Sequence, residues 1–129
     1  MKTLIATNQA RLISLFATIL ALCLIATNAV AQDKDPAHAW KMIDAGALVV
    51  DVRTAEEFAA GHLDNAINIP FEQITAEFSN QAIDKQRAVV VYCRSGRRSG
   101  IAHQALADAG YTNTYNGGGL VQLQQARSK

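Results

Sequence analysis

Residues 88–99 read AVVVYCRSGRRS, an apolar run that changes abruptly into a basic segment containing a glycine. The run at residues 88–92 is rich in β-branched valine and predicts a strand buried on both faces, as at the centre of a parallel sheet. Beyond the basic segment, residues 99–109 carry apolar side chains on one side and predict a helix that ends at Gly110. A strand, a short loop and a helix in this order indicate an α/β fold.

The segments on either side alternate in the same way. Residues 48–52 (LVVDV) and 66–69 predict two further strands, and residues 112–115 predict a fourth. Residues 116–119 (NGGG) predict a tight turn. The remaining segments predict helices, at residues 36–45, 54–61, 71–78 and 120–127. Strands that alternate with helices predict a parallel sheet.

Terminal residues support two of these helices. Asp35 is a favourable N-cap, Pro36 suits the first helical position, and Gly46 predicts the end of that helix. Thr54 and Glu57 stand three residues apart and match the capping-box pattern, in which both side chains accept hydrogen bonds from backbone N–H groups of the first turn.

The composition is that of a single globular domain. The 129 residues are 50% hydrophobic, 18% charged and 6% aromatic, which excludes a disordered or collagen-like chain. The formal net charge of +1 is too small to indicate a nucleic-acid partner. Two cysteines are too few for a disulfide framework or a four-cysteine zinc site.

The N-terminal part predicts a leader. Residues 12–25 (LISLFATILALCLI) are apolar and uncharged, and the charges before them, on Lys2 and Arg11, are both positive. Residues 29–31 (AVA) then provide a small-x-small cleavage site, so the pattern predicts a secretory signal peptide at residues 1–31. The alternative, a transmembrane anchor, is disfavoured because the run falls short of the ~20 residues that span a bilayer.

Cleavage would leave residues 32–129 as one exported domain that is not attached to a membrane. The formal net charge would fall from +1 to −1, because the leader contains two basic residues and no acidic ones. Cys23 would leave with the leader, since Leu22 before it and the apolar residues after it do not resemble a lipoprotein site. Cys93 would then be a lone cysteine in an oxidising compartment, either a buried inert thiol or a reactive one.

Cys93 directly follows the central strand, at the edge where open parallel sheets bind ligands. The glycine-containing loop and the helix N-terminus present backbone N–H groups and partial positive charge to one point, and Arg94, Arg97 and Arg98 add three cations. This pattern predicts an anion-binding cup with a sulfur at its base. Such surroundings lower the pKa of a cysteine from ~8.5 into the range ~3.5–7.5. We therefore predict that Cys93 is a thiolate nucleophile rather than an inert thiol.

Several segments resemble one known family. Residues 93–99 look like the active loop of rhodanese-type sulfurtransferases, Cys-Arg-x-Gly-x-Arg-Ser. Residues 51–53 (DVR) and 57–70 (EFAAGHLDNAINIP) resemble its second signature, and residues 109–111 (AGY) and 116–118 (NGG) resemble its closing segment. With the leader, the chain looks like the small single-domain periplasmic rhodaneses. The resemblance implies a rhodanese-like α/β fold, a small open parallel sheet of four to five strands flanked by helices on both faces.

The resemblance also implies persulfide chemistry. Cys93 would attack the outer sulfur of a donor such as thiosulfate, release sulfite and carry a persulfide, from which cyanide or a thiol takes the sulfur. No metal or organic cofactor is required. Arg98, which closes the motif, is the best candidate to fold over the cup, and Arg94 to steer the donor. The whole substrate-binding loop would be Arg94, Ser95, Gly96, Arg97, Arg98 and Ser99.

Asp51 and Arg53 follow a predicted strand on the same side as the loop. We expect an ion pair that supports the loop, since a carboxylate beside an anion site needs a paired cation; in the alternative, Arg53 binds substrate. His62 is expected to be a structural hydrogen-bond donor. His38 and His103 lack metal-ligand spacing, so no metal site is predicted.

Two other functions would use a similar loop. A cysteine phosphatase needs His-Cys-x5-Arg with a loop one residue longer, whereas Tyr92 precedes Cys93 here and Ser99 stands six positions after it. A sulfur carrier or redox-sensing module that hands its persulfide to a protein partner would have the same residues as a small-molecule sulfurtransferase. Turnover of thiosulfate and cyanide alone discriminates between these possibilities.

Overall fold

The computed structural model describes residues 34–129, so the leader predicted for residues 1–31 lies outside the described residues. The strands are β1 (Leu48–Asp51), β2 (Ile67–Asn68), β3 (Val89–Cys93) and β4 (Thr114–Gly119). The helices are α1 (Pro36–Asp44), α2 (Ala55–Ala59), α3 (Ile74–Asn80), α4 (Arg97–Asp108) and α5 (Leu120–Arg127). None of these helices is long and apolar enough to cross a membrane.

The four strands form one parallel sheet in the order β2-β1-β3-β4. Strand β3 is central and all five of its residues are buried, as predicted from its run of valines. Its neighbour β1 pairs with it in register, with Val49 opposite Val90 and Val50 opposite Val91. The predicted α/β class with a small parallel sheet is therefore confirmed.

Helices cover both faces of the sheet, as the resemblance implied. On one face, Ala39 of α1 and Leu123 of α5 pack against Val90 and Tyr92. On the other face, side chains of α3 and α4 pack against Val91 and its neighbours, and the buried members include Ile74, Phe78, Ala102 and Leu106. Because successive side chains of a strand point to opposite faces, β3 contributes to both apolar layers.

The helix starts follow their capping residues. The carboxylate of Asp35 accepts a hydrogen bond from the backbone N–H of Ala37 at 3.1 Å, and α1 begins at Pro36. The hydroxyl of Thr54 accepts from the backbone N–H of Glu57 at 3.2 Å. The carboxylate of Glu57 takes part in a different contact, described below.

Residues 116–119 do not form the tight turn that we predicted; they are the end of β4. Asn116 lies opposite Val91, and Gly119 lies opposite Cys93. Gly119 is needed for close packing: a Cβ added to it would lie 2.5 Å from the carbonyl oxygen of Arg94, a distance that no side chain tolerates. A glycine run thus continues the strand up to the loop after β3.

Two helices begin at clearly different residues from those predicted. Helix α4 begins at Arg97 instead of residue 99, because Gly96 adopts φ +92° and turns the chain into the helix earlier. The helix predicted for residues 71–78 divides into a 3-10 turn at Phe71–Gln73 and helix α3. The loop between Cys93 and α4 is therefore only three residues long.

Candidate active site

The site is built around Cys93, the last residue of β3, whose side chain is fully buried. The left-handed conformation of Gly96 directs its backbone N–H to the sulfur, with the nitrogen 3.0 Å from Sγ. The hydroxyl oxygen of Ser99, in the first turn of α4, lies 3.3 Å from Sγ on another side. The sulfur is thus held between a backbone donor and a hydroxyl at a helix N-terminus.

Two opposing effects set the pKa of the Cys93 thiol. Burial raises it, because the thiolate loses hydration. Hydrogen bonds from the Ser99 hydroxyl and from the backbone N–H groups of Ser99, Ser95 and Gly96 lower it, and their sum gives a pKa below that of an ordinary cysteine. The direction agrees with our expectation from sequence, but hydroxyl and backbone groups contribute most of the effect that we ascribed partly to arginines.

Arg98 binds a carboxylate of another helix, and its expected position over the cup stays a prediction. Its guanidinium forms two hydrogen bonds with the carboxylate of Glu57 in α2, Nη1–Oε1 at 2.7 Å and Nη2–Oε2 at 3.0 Å. The hydrogen bonds from Arg98 are the main reason that the pKa of Glu57 falls to about 2, and the same bonds raise the pKa of Arg98. The charge of Arg98 still interacts with Cys93 across space.

Three other cations belong to the loop, the start of α4 and the N-terminal segment next to the loop, and we call them the basic rim: Lys34, Arg94 and Arg97. All three residues are exposed, and none of them forms an ion pair within residues 34–129. The aliphatic part of the Lys34 side chain lies against the loop, as its distance to Gly96 shows: a Cβ added to Gly96 would be 3.0 Å from Lys34 Cε. The rim therefore presents positive charge that the described residues do not neutralise.

Asp51 and Arg53 form the predicted ion pair at the end of β1. Arg53 Nη2 lies 2.6 Å from Asp51 Oδ2, and Nε lies 2.9 Å from Oδ1. Both residues are buried, and Nη2 also donates to the carbonyl oxygen of Gly61 at 2.7 Å. The hydrogen bonds of this pair join β1 to the segment after α2, and none of those described reaches residues 94–98. Support of the loop by the pair stays a prediction.

Our sequence analysis overlooked Asn116, which is buried at the end of β4. Its Oδ1 accepts from the Ser99 hydroxyl at 2.7 Å and from the backbone N–H of Gly118 at 3.1 Å, while its Nδ2 donates to the carbonyl oxygen of Gly96 at 3.1 Å. One side chain thus connects the loop, the helix start and the neighbouring strand. The available signal for a site residue was its amide side chain at the carboxyl end of the strand beside β3. We interpreted the asparagine as part of a turn, which explained it equally well.

The histidines have structural contacts. His62 Nδ1 lies 2.8 Å from the carbonyl oxygen of Phe58, and the two rings stack with centroids 3.7 Å apart, which confirms the structural role predicted for His62. His103 Nδ1 lies 2.9 Å from the hydroxyl of Thr114. Residues 34–129 contain no group of three or more His, Cys, Asp or Glu side chains arranged to hold a metal ion.

Fold and site together define a class: a parallel α/β domain that holds a cysteine thiol at the end of its central strand, just before a three-residue turn into a helix. Comparison with known families identifies the class further. Residues 35–126 match the Rhodanese-like domain, and the chain belongs to that family.

Individual relatives agree with this assignment. The thiosulfate sulfurtransferase PspE of Escherichia coli (strain K12) is 38% identical over 80 residues, which cover 62% of this chain and 77% of the relative. A sulfurtransferase of Allochromatium vinosum is 41% identical over 75 residues, covering 57% of this chain and 68% of the relative. A solved structure described as a rhodanese with anions from E. coli is 39% identical with a TM-score of 0.55, covering 57% of this chain and 87% of that structure.

Proposed function

We propose that this chain is a thiosulfate sulfurtransferase that moves a sulfane sulfur from thiosulfate, or a similar donor, to cyanide or a thiol through a persulfide on Cys93. The observation that carries the proposal is the pair of contacts at the sulfur, Gly96 N at 3.0 Å and Ser99 Oγ at 3.3 Å. Both groups stabilise negative charge on Sγ, which is the state that attacks sulfur. The PspE and Allochromatium relatives, named as sulfurtransferases, support the same reaction class.

In the first step, a lone pair of the Cys93 thiolate forms a bond to the outer sulfur of thiosulfate. The sulfur–sulfur bond of thiosulfate breaks, and its electron pair leaves with sulfite. The product is Cys93–S–S⁻, so one negative charge stays at the site on the terminal sulfur. The backbone N–H groups of residues 94–98 and the N-terminus of α4 are the groups that would hold this charge.

In the second step, cyanide or a thiolate attacks the terminal sulfur. A new bond to that sulfur forms, the persulfide bond breaks, and the electron pair returns to Sγ as the thiolate. The charge balances without any proton transfer from the protein. No metal or organic cofactor takes part in this scheme, and the two half-reactions predict ping-pong kinetics.

The basic rim supplies the first attraction for the donor. Thiosulfate is a dianion, and the exposed cations of the rim raise its local concentration before the thiolate is reached. Arg94 would steer the donor, as we expected from its place beside the sulfur. Ser95, Gly96 and Arg97 would provide the backbone part of the cup.

The intact mass of the protein after incubation with thiosulfate tests this proposal directly. We expect the mass to rise by one sulfur atom, and to return to its starting value when cyanide is added. A Cys93→Ser variant should show neither change and no thiocyanate production, because an alcohol without a general base is a poor nucleophile. A matched Cys23→Ser variant should behave like the parent chain.

Other outcomes of the same assay would favour the alternative functions. A persulfide that forms with thiosulfate but does not pass to cyanide or small thiols would indicate a sulfur carrier for a protein partner. Release of phosphate from an aryl phosphate without any persulfide would indicate a cysteine phosphatase and would overturn the proposal.

We also propose that the protein works in the periplasm after removal of residues 1–31. The basic start, the apolar run and the small-x-small site support this. N-terminal sequencing of protein recovered from the periplasmic fraction should begin at Gln32. Recovery of the chain with Met1 retained in the cytoplasm would contradict the location while leaving the sulfur chemistry intact.

A further inference from the structure

The Ser99 hydroxyl lies between two hydrogen-bond acceptors. Its oxygen is 3.3 Å from Cys93 Sγ and 2.7 Å from Asn116 Oδ1, and all three residues are buried. A serine hydroxyl carries a single hydrogen and therefore donates one bond at a time. The hydrogen can point to the sulfur or to the amide oxygen, and the choice depends on the state of the sulfur.

With the thiol protonated, the thiol, the Ser99 hydroxyl and the Asn116 amide oxygen are all satisfied by two consecutive hydrogen bonds. Cys93 donates its S–H to Ser99, and Ser99 donates its O–H to Asn116. With the thiolate, Sγ has no hydrogen and becomes a charged acceptor, for which hydrogen bonds are stronger than for neutral pairs. The Ser99 hydrogen then has to leave Asn116 to reach the sulfur, so Asn116 and the thiolate compete for it.

We propose that Asn116 is a positioning residue for the sulfur chemistry, which acts through Ser99 by competing with Cys93 for the single hydroxyl hydrogen. Asn116 is suited to this role because it is itself held in place. Its Nδ2 donates to the carbonyl oxygen of Gly96, and the backbone N–H of Gly118 donates to its Oδ1. When the Ser99 hydrogen turns away, Oδ1 keeps the Gly118 bond and is not left unsatisfied.

The consequence for turnover rests on the proposed function. When Cys93 binds the outer sulfur of the donor and sulfite leaves, the negative charge moves from Sγ to the terminal sulfur. The inner sulfur becomes a weak acceptor, and the Ser99 hydrogen returns to Asn116. Attack by the acceptor restores the thiolate, and the hydrogen turns back. The hydroxyl rotates twice in each cycle and exchanges no proton.

Charged groups near the thiol do not change in this comparison. They come from the N-terminal segment, the end of β1, the start of α2 and the loop with the first turn of α4. These groups are Lys34, the Asp51–Arg53 pair, Glu57, Arg94, Arg97 and Arg98. Variants at Ser99 and Asn116 leave them all in place, so differences between the variants report on the hydroxyl and the amide.

The pH dependence of Cys93 alkylation by iodoacetamide tests the proposal. The full chain carries Cys23→Ala in all variants, so that Cys93 is the single thiol. Ser99→Ala should raise the pKa of Cys93 because the thiolate loses its hydroxyl donor. Asn116→Ala should lower it by about 0.5–1 unit, which raises the thiolate fraction below the pKa about three- to tenfold, because the sulfur no longer has a competitor. In the double variant, Asn116→Ala should have no effect.

A purely structural role for Asn116 predicts the opposite result. Loss of its bond to Gly96 would then loosen the loop and raise the pKa of Cys93, whether or not Ser99 is present. An increase of the same size in both backgrounds would overturn the proposal. Since alkylation needs neither thiosulfate nor an acceptor, this result stands apart from any failure of the proposed sulfur transfer.

Asn116→Asp provides a second route if the alanine variant fails to fold. The added carboxylate should raise the pKa of Cys93 in every background through its charge, and should raise it further when Ser99 is present because it holds the hydroxyl hydrogen more strongly. An equal increase in the parent chain and in the Ser99→Ala background would show that the hydroxyl is not shared.

Discussion

Arg98 and Glu57 are 41 positions apart in the sequence and form a two-armed ion pair, with Nη1–Oε1 at 2.7 Å and Nη2–Oε2 at 3.0 Å. Glu57 lies in the first turn of α2, and Arg98 lies in the first turn of α4, directly after the loop that holds the sulfur. The ion pair therefore connects the start of α4 to α2, the helix that follows β1. It also places a negative charge next to the arginine whose field reaches Cys93.

The pair should contribute to stability in a pH-dependent way. The ordinary pKa of 4.5 for Glu57 falls to about 2 in the folded chain, mainly because of the hydrogen bonds from Arg98. A lowered carboxyl pKa stabilises the fold above about pH 4.5, and this contribution is lost as the pH falls towards 2. We expect Glu57→Gln to reduce the free energy of unfolding by about 0.5–1 kcal/mol at neutral pH, since the pair is partly exposed to solvent. Urea unfolding across this pH range measures the difference.

Glu56→Gln is the matched control for that experiment. Glu56 also lies in the first turn of α2. It is exposed, however, and it forms none of the ion pairs found in residues 34–129. If Glu57→Gln and Glu56→Gln change stability equally at every pH, the stabilisation comes from the helix dipole and not from Arg98.

Opposite effects on the thiol are expected from the two ends of the pair. Glu57→Gln leaves Arg98 without its neutralising partner, so a larger net positive charge acts on Cys93 and its pKa should fall. Arg98→Ala removes the cation and leaves Glu57 as a net negative charge, so the pKa should rise and alkylation at pH 6 should slow. In the proposed reaction, donor efficiency should change in the same directions, several-fold in each case. Equal alkylation profiles for both variants would show that hydroxyl and backbone groups alone set the thiol pKa.

The sequence predicts the fold well where local patterns and packing agree. The valines at residues 89–91 predict a strand that is buried on both faces, and β3 lies there. The glycines at residues 117–119 mislead, because a glycine run is typical of a turn when only the sequence is read. In the fold, Gly119 leaves room for the carbonyl oxygen of Arg94, Gly117 lies against Val90, and Gly118 adopts a positive φ of +89°. Such contacts join segments that are distant in the sequence, so the local pattern does not reveal them.

The site residues also fall into two groups, those that local spacing predicts and those that it does not. Cys93, Gly96 and Ser99 lie within one strand–loop–helix unit, so spacing alone predicts that they meet, and they do. Glu57 and Asn116 come from other elements. Glu57 was explained as a capping residue and Asn116 as a turn residue, because each pattern has a sufficient local reason. Their contacts with Arg98 and Ser99 depend on the order of strands in the sheet.

The basic rim should attract anionic reagents to the sulfur. We expect Arg94→Gln and Lys34→Gln to slow alkylation of Cys93 by iodoacetate, an anion, more than alkylation by neutral iodoacetamide. The ratio of the two rates removes any change in thiolate fraction, and its loss should be largest at low ionic strength because salt screens exposed charges. In the proposed reaction, the same variants should lower donor efficiency in a salt-dependent way.

Arg87→Gln is the control for the rim. Arg87 is exposed and precedes β3, so it lies at the opposite end of the central strand from Cys93 while the variant removes the same charge. The ratio of rates should stay at the parent value. A drop as large as that of Arg94→Gln would mean that net charge, and not the position of the rim, governs access.

The buried pair of Asp51 and Arg53 should matter more for folding than for donor binding. Asp51→Asn leaves the Arg53 guanidinium buried without its carboxylate, which typically costs about 3–5 kcal/mol, and we expect a loss of that size in urea unfolding. Replacing both residues, Asp51→Asn with Arg53→Met, removes the buried charge and should restore a large part of the loss.

The double variant also decides between the two roles considered for Arg53. Its guanidinium is bound by Asp51 and by the carbonyl oxygen of Gly61, so we expect support rather than contact with the donor. The folded double variant should then keep its kcat/KM for thiosulfate within about threefold of the parent, since supporting groups act mainly through stability. Asp44→Asn, which breaks the exposed pair with Arg127, is the matched control and should change stability far less than Asp51→Asn. A folded double variant with a much higher KM and an unchanged kcat would instead assign Arg53 to donor binding, because that pattern marks the loss of a contact made equally in the ground and transition states.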